Sequence, residues 1–163
     1  MTKENLIIRS MEIKDNDIFI TTTDTILGIG AKVNPANQEK IYELKKRDKS
    51  KKLVIVVSSL EQLKKMENVE DKHLEYINKY WPGNTTLIIN NQAYRMPNNQ
   101  QLLKLINEYG PFYLSSANIS NENVIETIEE AKKIFPNLKY FDFGPGSGKP
   151  SIIIDTKDGK RLR

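Results

Sequence analysis

A dense basic segment is the first feature of this sequence that could do chemistry. From Lys45 to Leu53 the chain reads Lys-Lys-Arg-Asp-Lys-Ser-Lys-Lys-Leu, with six cationic side chains in eight residues. A helical pattern precedes this segment and an apolar run follows it, which predicts a short loop at the edge of an α/β fold. Such edges commonly bind anionic ligands. Taken alone, the composition also fits an ordinary solvated loop.

Two further segments place small hydroxyl and amide side chains directly after apolar strands. Residues 18–20 lead into the Thr-rich segment 21–30, and residues 112–114 lead into the Ser/Asn segment 115–120. These side chains can hydrogen-bond a ligand but do not titrate near neutral pH. Each segment also fits a simpler interpretation. The first could be a Thr-rich strand with a glycine bulge, and the second an ordinary Ser/Asn turn.

A glycine-rich segment at residues 144–151 resembles a P-loop only superficially. It reads Gly-Pro-Gly-Ser-Gly-Lys-Pro-Ser. Three residues separate Gly144 from Gly148 where a P-loop has four, and Pro150 replaces the Ser or Thr that binds magnesium. A strand rather than a helix is predicted to follow. We therefore interpret the segment as a loop and not as a nucleotide-binding motif.

Composition excludes several classes of chemistry. The 163 residues include no Cys and one His, which excludes a disulfide framework, a thiolate nucleophile and a Cys/His zinc cluster. We expect no metal ion held by protein ligands. The formal net charge of +4 at pH 7 favours a polyanionic partner such as a nucleotide or RNA. The N-terminus has no signal-peptide core and no run reaches membrane-spanning length, so we expect a cytoplasmic protein without a membrane partner.

One α/β domain, residues 1–163, is expected to position these segments. Tyr94 to Pro97 is predicted to end a strand, with Arg95 as an isolated cation at an edge. A turn at Lys157 to Lys160 is predicted to form a hairpin with a short return strand. Apolar runs predict strands at residues 6–8, 18–20, 53–57, 85–89, 112–114 and 152–154.

Capping residues and apolar periodicity predict five helices. The first begins at Pro35, with Asn34 as its N-cap, and ends at the basic segment. His73 falls within the third helix, where we expect it to be partly exposed and not a catalytic base, because no partner is close in sequence. The other helices are predicted after Ser58 or Ser59, around Leu74 to Trp81, after Asn98 or Asn99, and after Thr127.

Several separated segments together resemble one family, the YrdC-like (TsaC-type) threonylcarbamoyl-AMP synthases. Lys45 to Arg47 resembles the family's KxR motif, and Ser116 to Asn118 resembles its SxN core. The other resembling segments, in the same order as in the family, are Thr23 to Gly30, Trp81 to Leu87, Tyr94 to Pro97, Pro150 to Asp155 and Arg161 to Arg163. The resemblance covers nearly the whole chain.

The resemblance implies a single-domain α/β fold with a twisted mixed sheet, flanking helices and a positively charged concave cavity. It also implies a nucleotidyltransferase that converts L-threonine, bicarbonate and ATP, with Mg²⁺, into threonylcarbamoyl-AMP and pyrophosphate. This product serves the synthesis of N6-threonylcarbamoyladenosine (t6A) in tRNA, which later-step transfer proteins complete. Joining a carbamate to a phosphate requires orientation and charge neutralisation more than a strong base, which agrees with the residue types present.

The resemblance assigns the nucleotide to four residues that we also predict to be catalytic. Lys45 and Arg47 would contact the ATP phosphates, and Ser116 and Asn118 would hold the nucleotide or the adenylate. Further nucleotide contacts are implied for Lys51, Ser151 and Arg163. The remaining cations of the basic segment, Lys46, Lys49 and Lys52, are assigned to solvent or to general attraction of anions.

Threonine is assigned to a separate set of side chains. Arg95 would bind the threonine carboxylate, and Thr23 and Ser115 would hydrogen-bond threonine. This sequence departs from the family here, because Val56 and Val57 stand near the place where some relatives use a His. Asp48 and Lys52 replace prolines of the basic segment, so we expect that loop to be less rigid than usual. Because the sequence ends at Arg163, we expect the short form, without the extra C-terminal domain of longer relatives.

Two functions of other classes are alternatives. A noncatalytic module that binds double-stranded RNA or tRNA would also use a basic concave surface. Such a platform usually interleaves aromatic residues with basic ones, and the segment from Lys45 to Lys52 contains none. A carbamoyl-transfer domain of the hydrogenase-maturation type would share the fold, although it normally lies within a longer chain.

Overall fold

A single mixed sheet of nine strands runs through residues 12–163, the part of the chain that the computed structural model describes. Ile, Val, Phe and Thr are frequent in these strands and suit a covered sheet. In chain order the strands are β1 Ile18–Thr21, β2 Gly28–Lys32, β3 Val54–Val56, β4 Thr85–Ile89, β5 Gln92–Arg95, β6 Phe112–Ser116, β7 Lys139–Phe141, β8 Ile152–Asp155 and β9 Lys160–Arg161.

Five helices lie between the strands in the described residues. They are α1 Pro35–Lys45, α2 Leu60–Met66, α3 Asp71–Tyr80, α4 Gln100–Tyr109 and α5 Ile128–Ile134. The side chains of Asn34, Ser59, Asn99 and Thr127 each accept a hydrogen bond from the backbone N–H three residues later. Such caps satisfy N–H groups that have no partner inside the helix. The N-caps are therefore Ser59 rather than Ser58, and Asn99 rather than Asn98.

The order of the strands across the sheet is β7-β1-β2-β6-β3-β5-β4-β8-β9. Three neighbouring pairs are parallel, namely β1 with β7, β3 with β5 and β4 with β8. The other neighbours are antiparallel. The strands that end in predicted site residues, β5 and β6, are therefore interior strands on either side of β3.

The two faces of the sheet are covered unequally. Alternate side chains of a strand point to opposite faces. On one face, Ile55 and Tyr113 belong to a large apolar core that includes residues of α1, α2, α3 and α5. On the other face, Val56 and Phe112 pack with Leu102 and its neighbours on α4. The part of this second face that α4 leaves open forms a cavity.

The structure confirms most of the predicted elements, including the five helices and the hairpin of β8 and β9. The strand predicted at residues 6–8 lies outside the described residues. The glycine-rich loop at residues 144–151 leads into strand β8, as predicted.

Two predictions about exposure are wrong. His73 is buried at the start of α3, where its Nδ1 accepts a hydrogen bond from the Glu70 N–H at 3.0 Å. Arg95 is neither isolated nor at an edge. It is buried on interior strand β5, and the carboxylate of Asp24 lies 2.7 Å from its guanidinium.

No helix within residues 12–163 has both the length and the apolar composition that crossing a bilayer requires.

Candidate active site

A cavity of about 330 Å³ occupies the open part of the sheet face beside α4. Val54, Val56 and Leu114 contribute apolar surface to its lining. Seven of the ten site residues predicted from the sequence line it, namely Thr23, Arg47, Arg95, Ser115, Ser116, Ser151 and Arg163. The other three, Lys45, Lys51 and Asn118, are not among the lining residues.

The charged groups around the cavity are mostly cationic. Arg47, Lys52, Arg95 and Arg163 line it, and no carboxylate side chain of the described residues does. The carboxylate of Asp24 is close by, but it pairs with Arg95. This distribution of charge suits an anionic ligand. Lys52 also lines the cavity. The sequence assigns it only to solvent or to general attraction of anions, because nothing in its local sequence distinguishes it from the lysines beside it.

Lys45 lies beside the cavity at the centre of a hydrogen-bonded cluster. As the last residue of α1 it is only 1% exposed. Its ammonium donates to the carbonyl oxygen and the Oγ of Ser116, the latter at 3.2 Å. It also donates to the carbonyl oxygen of Asn118 at 3.0 Å and to Oδ1 of Asn118 at 3.2 Å. The KxR and SxN segments are therefore in direct contact.

Burial changes the acidity of this lysine. Removal from water disfavours the charged form, and the positive charge of Arg47 adds to the effect, so the pKa of Lys45 falls from 10.5 to about 8. Near neutral pH the side chain is still predominantly an ammonium ion.

Arg47 and Lys52 form the rim of the cavity on the side of the basic segment. Arg47 donates from Nε to the carbonyl oxygen of Lys51 at 3.3 Å and from Nη2 to that of Lys52 at 3.1 Å. Lys52 donates from Nζ to the carbonyl oxygen of Asn91 at 2.8 Å, in the turn between β4 and β5. The Arg47 contacts stay within the basic segment, and the Lys52 contact ties that segment to the turn between β4 and β5.

Arg95 reaches the cavity from β5 with part of its guanidinium already occupied. Nη1 donates to Asp24 at 2.7 Å and to the carbonyl oxygen of Gly83 at 3.0 Å, and Nη2 donates to Oγ1 of Thr25 at 3.0 Å. A guanidinium has five N–H donors. One Nη2 proton and the Nε proton therefore have no partner in these contacts. Arg95 can still present two N–H groups to a carboxylate.

The two hydroxyl groups predicted to bind threonine differ in their contacts. Thr23 donates to the carbonyl oxygen of Ile26 at 2.6 Å and accepts from the Thr25 N–H at 3.0 Å, so its hydroxyl mainly stabilises a turn. Ser115 is among the cavity-lining residues, but the alternation of β6 places its side chain on the same face of the sheet as Tyr113, opposite that of Leu114 and Ser116.

Ser151 and Arg163 close the opposite side of the cavity. The Ser151 Oγ lies 2.8 Å from Oγ1 of Thr86 and accepts from Nη2 of Arg163 at 2.9 Å. Nε of Arg163 also donates to the carbonyl oxygen of Ser151 at 2.8 Å. Partial burial and the positive charge of Arg95 lower the pKa of the Arg163 guanidinium below its ordinary value.

The glycine-rich loop packs against the turn that carries Asp24. Ser147 donates its backbone N–H to the Asp24 carbonyl oxygen, and Gly148 donates to that of Thr25, both at 3.0 Å. A Cβ atom on Gly146 would lie 2.5 Å from the Thr23 carbonyl oxygen, which is closer than Cβ atoms approach other heavy atoms in proteins. The loop therefore holds the Thr23 to Thr25 turn and needs glycine at position 146 for close approach.

No cluster of three or more His, Cys, Asp or Glu side chains that could hold a metal ion occurs within residues 12–163. Any divalent ion at this cavity would need most of its ligands from a bound molecule and from water.

Comparisons of this sequence with known proteins all identify relatives from one family. The family model Sua5_yciO_yrdC, described as telomere recombination, matches residues 11–163. The threonylcarbamoyl-AMP synthase of Buchnera aphidicola subsp. Acyrthosiphon pisum is 30% identical over an alignment of 174 positions including gaps, and the match covers 91% of this chain and 97% of the relative. The enzyme of the same name from Pseudoalteromonas translucida is 27% identical over an alignment of 173 positions including gaps, and the match covers 90% of each chain.

A solved structure shares the fold. The crystal structure of P. abyssi Sua5 complexed with L-threonine superposes with a TM-score of 0.82 at 24% sequence identity. The match covers 95% of this chain and 52% of that one, so this chain spans about half the length of the solved protein.

The buried ion pair between Asp24 and Arg95 generates a prediction about stability. Asp24→Ala leaves a buried guanidinium without its counter-charge, which we expect to lower the free energy of unfolding by roughly 3 kcal/mol in urea titrations. The double variant Asp24→Ala/Arg95→Met should recover part of this loss. Asp15→Ala breaks an ion pair with Lys32 at a carboxylate that is 93% exposed, and should cost less than about 1 kcal/mol. A double variant no more stable than Asp24→Ala would contradict this explanation.

The lowered pKa of Lys45 predicts a specific pH dependence. Between about pH 8 and pH 10.5 the unfolded chain keeps the Lys45 proton while the folded chain loses it. The contribution of Lys45 to the free energy of unfolding should therefore rise with pH across this window, and should be lost as the pH falls through 8. An NMR titration of the lysine side chains should show one residue with a midpoint near 8. A Lys45 midpoint equal to those of the exposed lysines would contradict the prediction.

Proposed function

Because the chain belongs to the Sua5/YciO/YrdC family, we propose that it is a threonylcarbamoyl-AMP synthase. In this reaction the amine of L-threonine combines with bicarbonate to form a carbamate, whose oxygen attacks the α-phosphate of ATP. Pyrophosphate leaves and one water molecule is released. The enzyme would be a nucleotidyltransferase, and its product would be used by later-step proteins that place t6A in tRNA.

The observation that carries this proposal is the combination of cations and neutral hydrogen-bonding groups at one cavity. The lining residues include four cations but no carboxylate and no His within the described chain. Such a site cannot supply a strong general base, but it can bring two anions together and stabilise charge on a phosphate. The proposed reaction requires both. Holding the carbamate next to the α-phosphate also removes much of the entropic cost of their encounter.

We assign the nucleotide to the space that spans the cavity from Arg47 to Arg163. Arg47 has donors left on Nη1, and a guanidinium can contact a phosphate with two parallel hydrogen bonds. Arg163 is anchored by Ser151, which holds its charge at the cavity. Ser116, the last residue of β6, and Asn118, two residues beyond it, would orient the nucleotide or the adenylate. Lys51 is a weaker candidate, because it is not among the residues that line the cavity.

We assign threonine to the area around Arg95 and Ser115. The two N–H groups of Arg95 without partners suit a carboxylate, and Ser115 adds a polar residue to the lining beside it. The Thr23 hydroxyl is committed to its turn, because it donates to Ile26 and both the N–H and the hydroxyl of Thr25 lie within hydrogen-bonding distance of it. Val56 supplies apolar surface in this region, where some relatives are expected to use a His. The solved P. abyssi Sua5 with L-threonine supports an amino-acid site in this fold.

Magnesium enters this proposal as part of the substrate Mg·ATP. Mg²⁺ keeps several waters and is usually bound through substrate phosphates with one or two carboxylates. The described residues offer no carboxylate cluster for it. Its ligands would therefore be phosphate oxygens and water, and it would neutralise part of the charge on the phosphates.

An RNA-binding module is less well supported. No aromatic side chain is among the described residues that line the cavity, so bases would find no stacking platform there. The cations alone would attract any phosphate backbone without discrimination.

The proposed reaction makes the first prediction about activity. Purified protein with ATP, Mg²⁺, L-threonine and bicarbonate should release pyrophosphate and form a threonylcarbamoyl nucleotide detectable by mass spectrometry. Omission of either threonine or bicarbonate should reduce product to background, because the carbamate cannot form. Pyrophosphate release that is unchanged without threonine would contradict the proposed function.

Arg47 is the residue whose removal should separate activity from folding. Arg47→Ala should lower kcat/KM for ATP roughly 100-fold, since charge-assisted hydrogen bonds to phosphate are lost. Tm should stay close to that of the wild type, because the two backbone contacts of Arg47 are at the surface. Lys49→Ala is a matched control from the same loop. Lys49 pairs with Glu39 and does not line the cavity, so its removal should leave kcat/KM nearly unchanged. Equal losses in the two variants would argue against a phosphate contact by Arg47.

A further inference from the structure

We infer that Lys45 is a positioning residue, whose buried ammonium holds the Ser116 to Asn118 turn in the shape that binds the nucleotide. This role replaces the direct phosphate contact that the KxR resemblance implies for Lys45. The inference rests on the proposed function for the identity of the ligand. Its geometric basis is independent of that function.

The hydrogen-bond donors of Lys45 are fully used inside the protein. An ammonium group has three N–H donors and no acceptor. Four oxygen atoms of Ser116 and Asn118 lie within hydrogen-bonding distance of it. No N–H group remains for a phosphate unless one of these contacts breaks. Arg47 differs in this respect, because it lines the cavity and has unpaired donors.

The turn depends on Lys45 for more than one contact. Its backbone carbonyl accepts from the Ser120 N–H at 2.7 Å, and its ammonium binds the carbonyl oxygens of Ser116 and Asn118. The Ser116 hydroxyl donates to Oδ1 of Asn118 at 2.6 Å, and Nδ2 of Asn118 donates to the Glu122 carbonyl oxygen at 2.8 Å. The orientation of both nucleotide-binding side chains is therefore set by atoms that converge on this one cation.

Removal of the ammonium would leave these oxygens without a partner in a place that water hardly reaches. Lys45 is 1% exposed and Asn118 is 7% exposed. A buried carbonyl without a donor is costly, so the turn would rearrange to find another partner. Ser116, which lines the cavity, would then no longer be held in place by Lys45 and Asn118.

A double-mutant cycle on ATP binding distinguishes positioning from direct contact. We expect Lys45→Met to weaken ATP binding about tenfold by calorimetry in the presence of Mg²⁺, and Asn118→Ala to weaken it at least as much. The double variant should bind ATP within about threefold of Asn118→Ala, because both changes disable the same turn. Lys40→Met, on the exposed surface of α1, is the matched control and should bind ATP like the wild type. Multiplicative losses would show an independent phosphate contact. A lower Tm with unchanged ATP affinity would show a merely structural role. Either result overturns the inference.

A second variant and a measurement on the wild type cover the case in which Lys45→Met does not fold. Lys45→Gln keeps two N–H donors near the turn and can replace it in the cycle. In the wild type, an amine-reactive reagent should label exposed Lys49 but not Lys45, with or without ATP. Labelling of Lys45 that ATP suppresses would overturn the inference. A wild-type protein that binds no ATP would instead reject the proposed function, and the labelling result would still decide where the Lys45 ammonium lies.

Discussion

The constraint on which this structure depends is that the side chains of each interior strand point alternately to the two opposite faces of one sheet. Four helices cover one face completely enough to form a continuous apolar core, whereas α4 covers only part of the other. Apolar residues such as Val54 and Leu114 therefore remain beside an open space. The polar residues at the ends of β5 and β6 surround that space. The cavity follows from the unequal number of helices on the two faces, and no separate domain is needed to build it.

The polar groups around the cavity are held mainly by one another. Asp24 fixes Arg95, Ser151 fixes Arg163, and Lys45 fixes the end of β6. Ligand binding requires no further free energy to orient these side chains, because they are already oriented in the folded protein. Preorganised dipoles and charges of this kind stabilise developing charge more effectively than mobile ones. The same contacts limit how many N–H donors are left for a ligand. The N–H groups of Arg47 and Arg95 that have no partner therefore indicate where a ligand would bind.

Local signals predicted the elements well, while side-chain environments depended on distant parts of the chain. Helix caps such as Asn34 and apolar runs such as that of β3 are readable because their causes lie within a few residues. The pairing of Arg95 with Asp24 joins segments far apart in the sequence, so Arg95 was wrongly expected at an exposed edge. The burial of Lys45 inside a hydrophilic run has the same origin. The motif resemblance identified the residues near the cavity, but only the three-dimensional contacts distinguish those that line it from those behind it.

The close approach of Gly146 to the Thr23 carbonyl oxygen has a consequence for motif searches. A run of glycines followed by lysine is commonly scored as a phosphate-binding signature, yet crowding between two protein segments can produce the same pattern. Here the absent side chain makes room for the protein's own backbone. A glycine-rich segment next to a ligand cavity can therefore be wrongly assigned as a phosphate-binding motif. A loop that packs against other parts of the protein and a loop that binds a ligand can have similar composition. Measuring what a Cβ atom would meet at each glycine separates the two.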